Sequence, residues 1–249
     1  MSRFEESVIE GRNEVIEAFR SGKTVDRLFI LDGSNDGPVQ TIKREAKKHD
    51  LRIDYVDRKR LDEISVTGKH QGVIAYIAAY KYAELEDIFS NAGKKGEDPF
   101  IFILDNIVDP HNLGAIIRTA NMSGAHGVII PKNRAVGLTA AVAKASAGAI
   151  NYTPVVKVTN LRNTIEALKE RGLWFACADM EGECLFDRDL TGPIGIVIGS
   201  EGEGVGRLIK ETCDFKVAIP TCGDIDSLNA SVAAGVMAFE VVRQRRNGK

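Results

Sequence analysis

Phe100-Ile101-Phe102-Ile103-Leu104 is an unbroken apolar run, and the polar stretch Asp105-Asn106-Ile107-Val108-Asp109-Pro110-His111-Asn112-Leu113-Gly114 follows it directly. A short apolar run that shows no alternation and ends in turn-forming residues reads as a strand buried on both faces. The same pattern returns at Gly127 to Ile130, Leu173 to Ala178, Ile194 to Ile198 and Phe215 to Ile219. Helical stretches separate these runs: Leu113 to Met122, Leu138 to Ala147, Leu161 to Arg171, Val205 to Glu211 and Leu228 to Arg246. Apolar strands alternating with helices predict an α/β domain with a parallel sheet covered on both faces, spanning residues 99–249.

Upstream the elements are shorter. Glu10 to Phe19 and Val39 to His49 read as helices; Arg27 to Leu31, Arg52 to Val56 and Val73 to Ala78 read as strands. Asp32-Gly33-Ser34-Asn35-Asp36-Gly37-Pro38 is a turn-rich connection. Residues 1–80 are therefore expected to form a small α/β domain. Residues 81–98 contain Ser90-Asn91-Ala92-Gly93-Lys94-Lys95-Gly96-Glu97-Asp98, which is polar and poor in core formers, and are expected to be a flexible linker.

Composition narrows the class. The chain has 249 residues, 44% hydrophobic and 27% charged, with a formal net charge of -2. That balance gives no global attraction to nucleic acid, so an RNA partner has to be met by local patches. No apolar run has the length of about 18 residues that a membrane span requires, and the charged start Met1 to Glu10 has no secretory apolar core. Cys177, Cys184, Cys213 and Cys222 form no CxxC pair and have no histidine at zinc-ligand spacing, so reduced thiols, no metal and a cytoplasmic location are expected.

Ligands of open α/β sheets bind at the carboxyl ends of the strands. Three loops there carry polar or glycine-rich sequence. The first is Asp105 to Gly114, with Asn112 as a good helix N-cap and Arg118 in the second turn; the alternative is a capped helix with a surface arginine. The second is Gly199-Ser200-Glu201-Gly202-Glu203-Gly204-Val205-Gly206, which fits neither GxGxxG nor a P-loop, and which reads either as a close backbone approach to a ligand or as a tight turn into a helix. The third is Pro220 to Ser231, in which Ser227 and Asn229 could cap the last helix. It contains no GxSxG, and Asp224 and Asp226 with no nearby histidine give only a weak metal or triad reading. Three such loops above one sheet point to a shared site.

Taken in order, the loops resemble the three motifs of the SpoU (TrmH) branch of the SPOUT RNA 2′-O-methyltransferases. Asp109 through Ala120 is similar to the first motif, Ile196 through Gly204 to the second, and Ile219-Pro220 with Ser227 through Ala233 to the third. The resemblance covers residues 99–249. It implies a trefoil knot, a homodimer with the active site at the subunit interface, and S-adenosylmethionine bound largely by backbone groups at Gly199, Ile219 and Leu228, with Ser200, Pro220 and Ala178 beside them. It further implies Asn112, Arg118, Glu201, Ser227 and Asn229 as catalytic residues. The family reading of the arginine as base sits badly with a guanidinium, which stays protonated and has no acceptor capacity. Arg118 fits better as a donor that grips a phosphate and stabilises alkoxide charge, oriented by Asn112 and Glu201, with Ser227 and Asn229 positioning the ribose or the methionine part of the cofactor.

The first domain resembles the small RNA-binding domain of rRNA-modifying members. The residues that carry this are Gly11-Arg12-Asn13-Glu14-Val15 and Lys69-His70-Gln71-Gly72-Val73, which nominates Arg12, Asn13, Lys69, His70 and Gln71 for RNA contact. The basic clusters Lys43-Arg44, Lys47-Lys48 and Arg58-Lys59-Arg60 could neutralise phosphates or form solvated helix faces. The arrangement is most similar to enzymes that methylate guanosine 2′-hydroxyls in large-subunit (23S-type) rRNA. A tRNA methyltransferase and an inactive RNA-binding assembly factor are the competing expectations.

Overall fold

A computed structural model describes residues 7–223 and 227–248. Asp224 and Asp226 lie outside the described residues. The chain divides into two compact units, residues 1–81 with 137–140, and residues 82–136 with 141–249.

The first unit runs β1 (Ser7–Glu10), α1 (Arg12–Arg20), β2 (Val25–Leu31), α2 (Gly37–Lys48), β3 (Ile53–Val56), α3 (Arg58–Ile64) and β4 (Val73–Ile77). Its sheet has the order β1-β4-β2-β3, with only β2 and β3 parallel. Val15, Leu28, Ile30, Val39, Ile42 and Val73 fill one face, while Phe29, Leu61 and Ile74 fill the other. Asp36 caps α2 by accepting from the Val39 amide at 3.2 Å, and Asp57 caps α3 by accepting from Arg60 at 2.8 Å. Sequence reading passes over α3 because Arg58-Lys59-Arg60 is a charge run whose helix buries only Leu61.

The second unit holds α4 (Leu85–Lys95), β5 (Phe100–Leu104), α5 (Pro110–Met122), β6 (Gly127–Pro131), α6 (Ala140–Ala145), β7 (Val155–Val158), α7 (Leu161–Glu170), β8 (Trp174–Cys184), β9 (Ile194–Ile198), α8 (Arg207–Thr212), β10 (Phe215–Ala218) and α9 (Ala230–Arg246). The sheet is wholly parallel, in the order β10-β8-β9-β5-β6-β7. The central strands β5 and β9 are buried along their whole length, as their apolar runs require. From β5 the chain moves out through β6 and β7, then returns to build the other half from β8, β9 and β10. The β5/β9 boundary is thus the point where the strand order reverses, and the loops above it diverge.

The flexible-linker expectation for 81–98 is corrected here. Residues 85–95 form α4, with the Glu84 amide donating to Asp87 at 2.9 Å and Gly96 closing the helix at φ 64°. The segment is polar overall, yet Leu85, Ile88, Phe89 and Ala92 recur at helical spacing and pack on the second unit's core. The fit is close: a Cβ on Gly127 would stand 2.5 Å from Ile88 Cγ1.

Strand β8 is also longer than expected. It pairs with β10 at Ala176↔Phe215 and Cys177↔Lys216, then again at Glu183↔Val217 and Cys184↔Ala218. Residues 178–182 therefore leave the ladder and rejoin it, and Gly182 rests on β10, where a Cβ would lie 2.5 Å from the Val217 nitrogen. At the amino ends of the central strands, Arg245 of α9 donates to the carbonyls of Asp98 at 3.0 Å and Gly192 at 2.9 Å. His126 accepts there from the Phe100 amide at 3.0 Å, and its burial pushes its pKa down.

Candidate active site

The carboxyl ends of β5 and β9 define the site. Asp105, the first residue after β5, is buried, and its Oδ2 accepts from the Gly206 amide at 2.8 Å. This bond reaches across to the second loop and holds its far end. The loop closes on itself, since Ser200 and Gly204 exchange backbone hydrogen bonds of 3.2 and 3.0 Å. Two glycines make that closure feasible. A Cβ at Gly199 would stand 2.0 Å from the Gly204 carbonyl carbon, and Gly204 itself adopts φ 65°. The glycines thus serve a tight turn in which the loop packs on its own backbone, the second of the two readings of this sequence.

Three loops distant in sequence then meet. Asn112 Nδ2 donates to Glu201 Oε1 at 2.7 Å, and Asn229 Nδ2 donates to Asn112 Oδ1 at 3.0 Å and to Glu201 Oε1 at 2.5 Å. Asn229 also caps α9, because its Oδ1 accepts from the Ser231 amide at 2.9 Å, the Ser231 hydroxyl at 2.6 Å and the Val232 amide at 3.3 Å. Capping and site building are thus not alternatives at this residue: the oxygen does one and the nitrogen the other.

Two expectations within the first loop change. Asn112 is not the N-cap of α5. Asp109 is, accepting from the His111 amide at 3.1 Å with Pro110 in the first turn, and this frees the Asn112 side chain for Glu201. Nor do Asn112 and Glu201 orient Arg118. Six residues of helix separate Arg118 from Asn112, which moves it about 9 Å along the axis and turns it about 120° away. Its guanidinium is exposed and makes no hydrogen bond or ion pair among the described residues.

The cofactor candidates share one edge. Gly199 follows β9, Ile219 and Pro220 follow β10, and Ala178 is where β8 leaves its ladder. The order β10-β8-β9 sets these three strand ends side by side. Leu228 and Ser227 are exposed just before α9, and Ser227 makes no hydrogen bond among the described residues. Sequence reading missed two supports of this edge. Asp105 was legible as a carboxylate immediately after a strand. Asp179, by contrast, needed the fold: it sits in the β8 excursion and pairs with Lys210 of α8 at 2.6 Å. Burial would raise the Asp179 pKa, but Lys210 and the Glu181 amide outweigh it and hold it low. Among the described residues no group of three histidine, cysteine or carboxylate side chains is placed to hold a metal, and no helix is long and apolar enough to cross a membrane.

In the first unit the five RNA-contact candidates separate into two groups. Arg12 is committed inward, pairing with Asp36 at 2.8 Å and donating to the Gln71 carbonyl at 3.0 Å. His70 is 4% exposed, with Nε2 2.9 Å from Asp62 and Nδ1 accepting from Gly72 at 3.0 Å. Asn13, Lys69 and Gln71 are exposed. Glu10 completes the arrangement, accepting from the Ser65 and Thr67 hydroxyls, each at 2.6 Å, and from the Val66 amide at 2.5 Å. Burial works against the Glu10 charge, but these donors bring its pKa down to about 2.

Comparison with known proteins places this architecture. Residues 99–239 match the SpoU rRNA Methylase family, and residues 8–83 match the RNA 2′-O ribose methyltransferase substrate-binding family. The chain belongs to the SpoU methyltransferase family. A TrmH-family tRNA/rRNA methyltransferase of Bacillus subtilis, YacO, described as putative, is 51% identical over 247 residues, 98% of each chain. The SpoU methyltransferase AviRb of Streptomyces viridochromogenes, solved in complex with AdoMet, superposes with a TM-score of 0.61 at 26% identity, covering 98% of this chain and 92% of that one. A TrmH/SpoU tRNA-modifying enzyme of A. aeolicus gives a TM-score of 0.55 at 29% identity, but covers only 61% of this chain and 78% of its own. This SpoU chain is an RNA 2′-O-methyltransferase that uses S-adenosylmethionine.

Proposed function

We propose that this SpoU methyltransferase modifies a guanosine 2′-hydroxyl of large-subunit ribosomal RNA, in the cytoplasm, as a homodimer whose C-terminal unit is knotted. The observation that carries the site assignment is the Asn112–Glu201–Asn229 cluster, set beside the ends of β10, β8 and β9. The loop that Gly199 and Gly204 close presents backbone groups at the end of β9, and a carboxylate at the rim suits a sulfonium cation, so these residues fit S-adenosylmethionine. Gly199, Ser200, Ile219, Pro220 and Leu228 would hold it, with Ala178 as a wall. When bound it supplies an electrophilic methyl group.

The chain's own residues do the rest. Asn112, Glu201 and Asn229 lock three loops into one geometry, and Ser227 is free to position the ribose. Pre-set geometry of this kind converts binding into rate. Arg118 acts as a donor, gripping a phosphate and stabilising developing negative charge on the 2′-oxygen. Since Arg118 does not reach its own chain's cluster, a second copy supplies it. The exposed apolar residues Val232 and Phe239 of α9 and Met122 of α5, on two helices that pack together, suit such a copy as partner. The knot is supported by the path of the chain: after β10 at one sheet edge, α9 crosses back to pack on α5 and β9.

The N-terminal unit favours ribosomal RNA. The tRNA-modifying enzyme of A. aeolicus covers only 61% of this chain, and residues 99–239 match the SpoU rRNA Methylase family. Asn13 at the start of α1, with Lys69 and Gln71 on the loop before β4 that Glu10, Arg12 and His70 hold in shape, are the contacts offered to RNA. The test is to map 2′-O-methylation on ribosomal and transfer RNA from cells with and without this protein. A site lost only from large-subunit RNA supports the proposal, and a site lost only from transfer RNA overturns it. Arg118→Ala should lower methyl transfer by about 10²- to 10³-fold, in the range of a lost charge-stabilising donor, while calorimetry shows cofactor binding unchanged.

A further inference from the structure

Most cations of the second unit are already committed. Arg162, Arg171, Arg188, Lys210 and Arg243 each pair with a carboxylate. Arg134 and Lys144 are exposed and have no hydrogen bond or ion pair among the described residues, a condition they share with Arg118. Their placement is specific. Arg134 lies in the loop between β6 and α6, which is tied to the first loop of the site by the Val136 amide donating to the Ile107 carbonyl at 3.0 Å. Helix α6 packs hard on α5, since a Cβ at Gly114 would meet Ala145 Cβ at 2.4 Å and the Val142 carbonyl at 2.8 Å. Arg118 is one turn beyond Gly114 on the same face of α5, and Lys144 adjoins Ala145. Arg118, Arg134 and Lys144, three of the exposed cations that have no such partner, therefore flank one helix crossing beside the first loop of the site.

Arg134 is also held in an uncommon conformation. Its φ is 58°, the left-handed region, which costs a non-glycine residue about 1 kcal/mol or more. Strained backbone of this kind concentrates where a side chain is aimed for a purpose. The chain as a whole carries net charge -2, so these cations do not reflect a generally basic surface.

We propose that Arg134 and Lys144 bind backbone phosphates of the RNA strand that enters the site. The chemistry required is that of a phosphodiester: arginine offers a two-pronged donor and lysine a point charge. This rests on the reading that the reacting ribose sits at the Asn112–Glu201–Asn229 cluster.

The test uses the full chain and a protein-free transcript of large-subunit ribosomal RNA. Filter binding across a salt series gives the slope of log affinity against log salt. Each phosphate contact contributes about 0.7 to 0.9 to that slope. The Arg134→Ala/Lys144→Ala double variant should lose about 1.5 from it, and its KM for RNA should rise about 10-fold or more, with kcat at saturating RNA and the cofactor Kd unchanged. Arg134→Gly keeps the proposal falsifiable if alanine disturbs the loop, because glycine suits φ 58°. Its thermal midpoint should hold or rise while RNA affinity falls. An unchanged slope in the double variant, or wild-type RNA affinity in Arg134→Gly, overturns the proposal. If the wild-type protein binds the transcript but methylates no ribosomal RNA, the proposed function fails separately, and the salt slopes still decide the role of these two cations.

Discussion

At the scale of single residues, Asn229 shows how one side chain can serve stability and chemistry at once. Its oxygen caps α9 and its nitrogen bridges Asn112 and Glu201. The two duties can be separated. Asn229→Asp keeps the capping oxygen but puts a second carboxylate beside Glu201, so methyl transfer should fall about 100-fold or more while the Ser231 and Val232 amides stay protected from hydrogen exchange. Asn229→Ala should lose that protection as well, with about 1 kcal/mol of stability. A wild-type rate in the aspartate variant would show that the bridge is dispensable. Glu10 gives a prediction in pH. Its pKa is lowered from 4.5 to about 2 in the folded chain, so its contribution is complete above about 4.5 and disappears as pH falls toward 2. Glu10→Gln should cost about 1 kcal/mol at neutral pH, discounted for its partial exposure, and should flatten the acid limb of stability, as urea melts between pH 2 and 6 can measure. The sequence made Asn112, Glu201 and Asn229 visible as polar residues in loops after apolar strands. It could not show that Asn112 yields the cap to Asp109, nor that His70 turns inward, because both depend on which neighbour reaches an amide first.

At the scale of elements, the strands were the most readable part. Unbroken apolar runs such as Phe100 to Leu104 and Ile194 to Ile198 have one comfortable environment, the middle of a parallel sheet, and they occupy it. Helix α4 was hidden because Asn91, Gly93, Lys94 and Lys95 swamp a four-residue apolar stripe in any average over the segment. The β8 excursion was hidden because its cause is a backbone contact between Gly182 and β10 across 35 residues of sequence. Element packing also sets a sharp test. Gly114 stands where α5 meets α6 with no space for a methyl group, so Gly114→Ala should destabilise the chain by about 1–3 kcal/mol. Calorimetric unfolding that matches wild type would mean that α6 yields freely.

At the scale of the whole molecule, the boundary that matters lies before α4. Cutting at Pro99 would remove Leu85, Ile88, Phe89 and Ala92 from the second unit's core, at a cost of several kcal/mol in buried apolar surface. Residues 82–249 should therefore give a folded, cofactor-binding protein that fails on ribosomal RNA, whereas residues 99–249 should unfold at a clearly lower temperature. Equal melting points for the two fragments would remove α4 from the core. The last helix adds a point about synthesis. α9 delivers Asn229 to the catalytic rim and Arg245 to the carbonyls of Asp98 and Gly192 at the amino ends of β5 and β9. Neither end of these strands can be finished until residues 229–245 have left the ribosome. A nascent chain stalled before Asn229 would expose an open sheet to chaperones and proteases, and cofactor binding would switch on abruptly, not gradually, as that final stretch emerges.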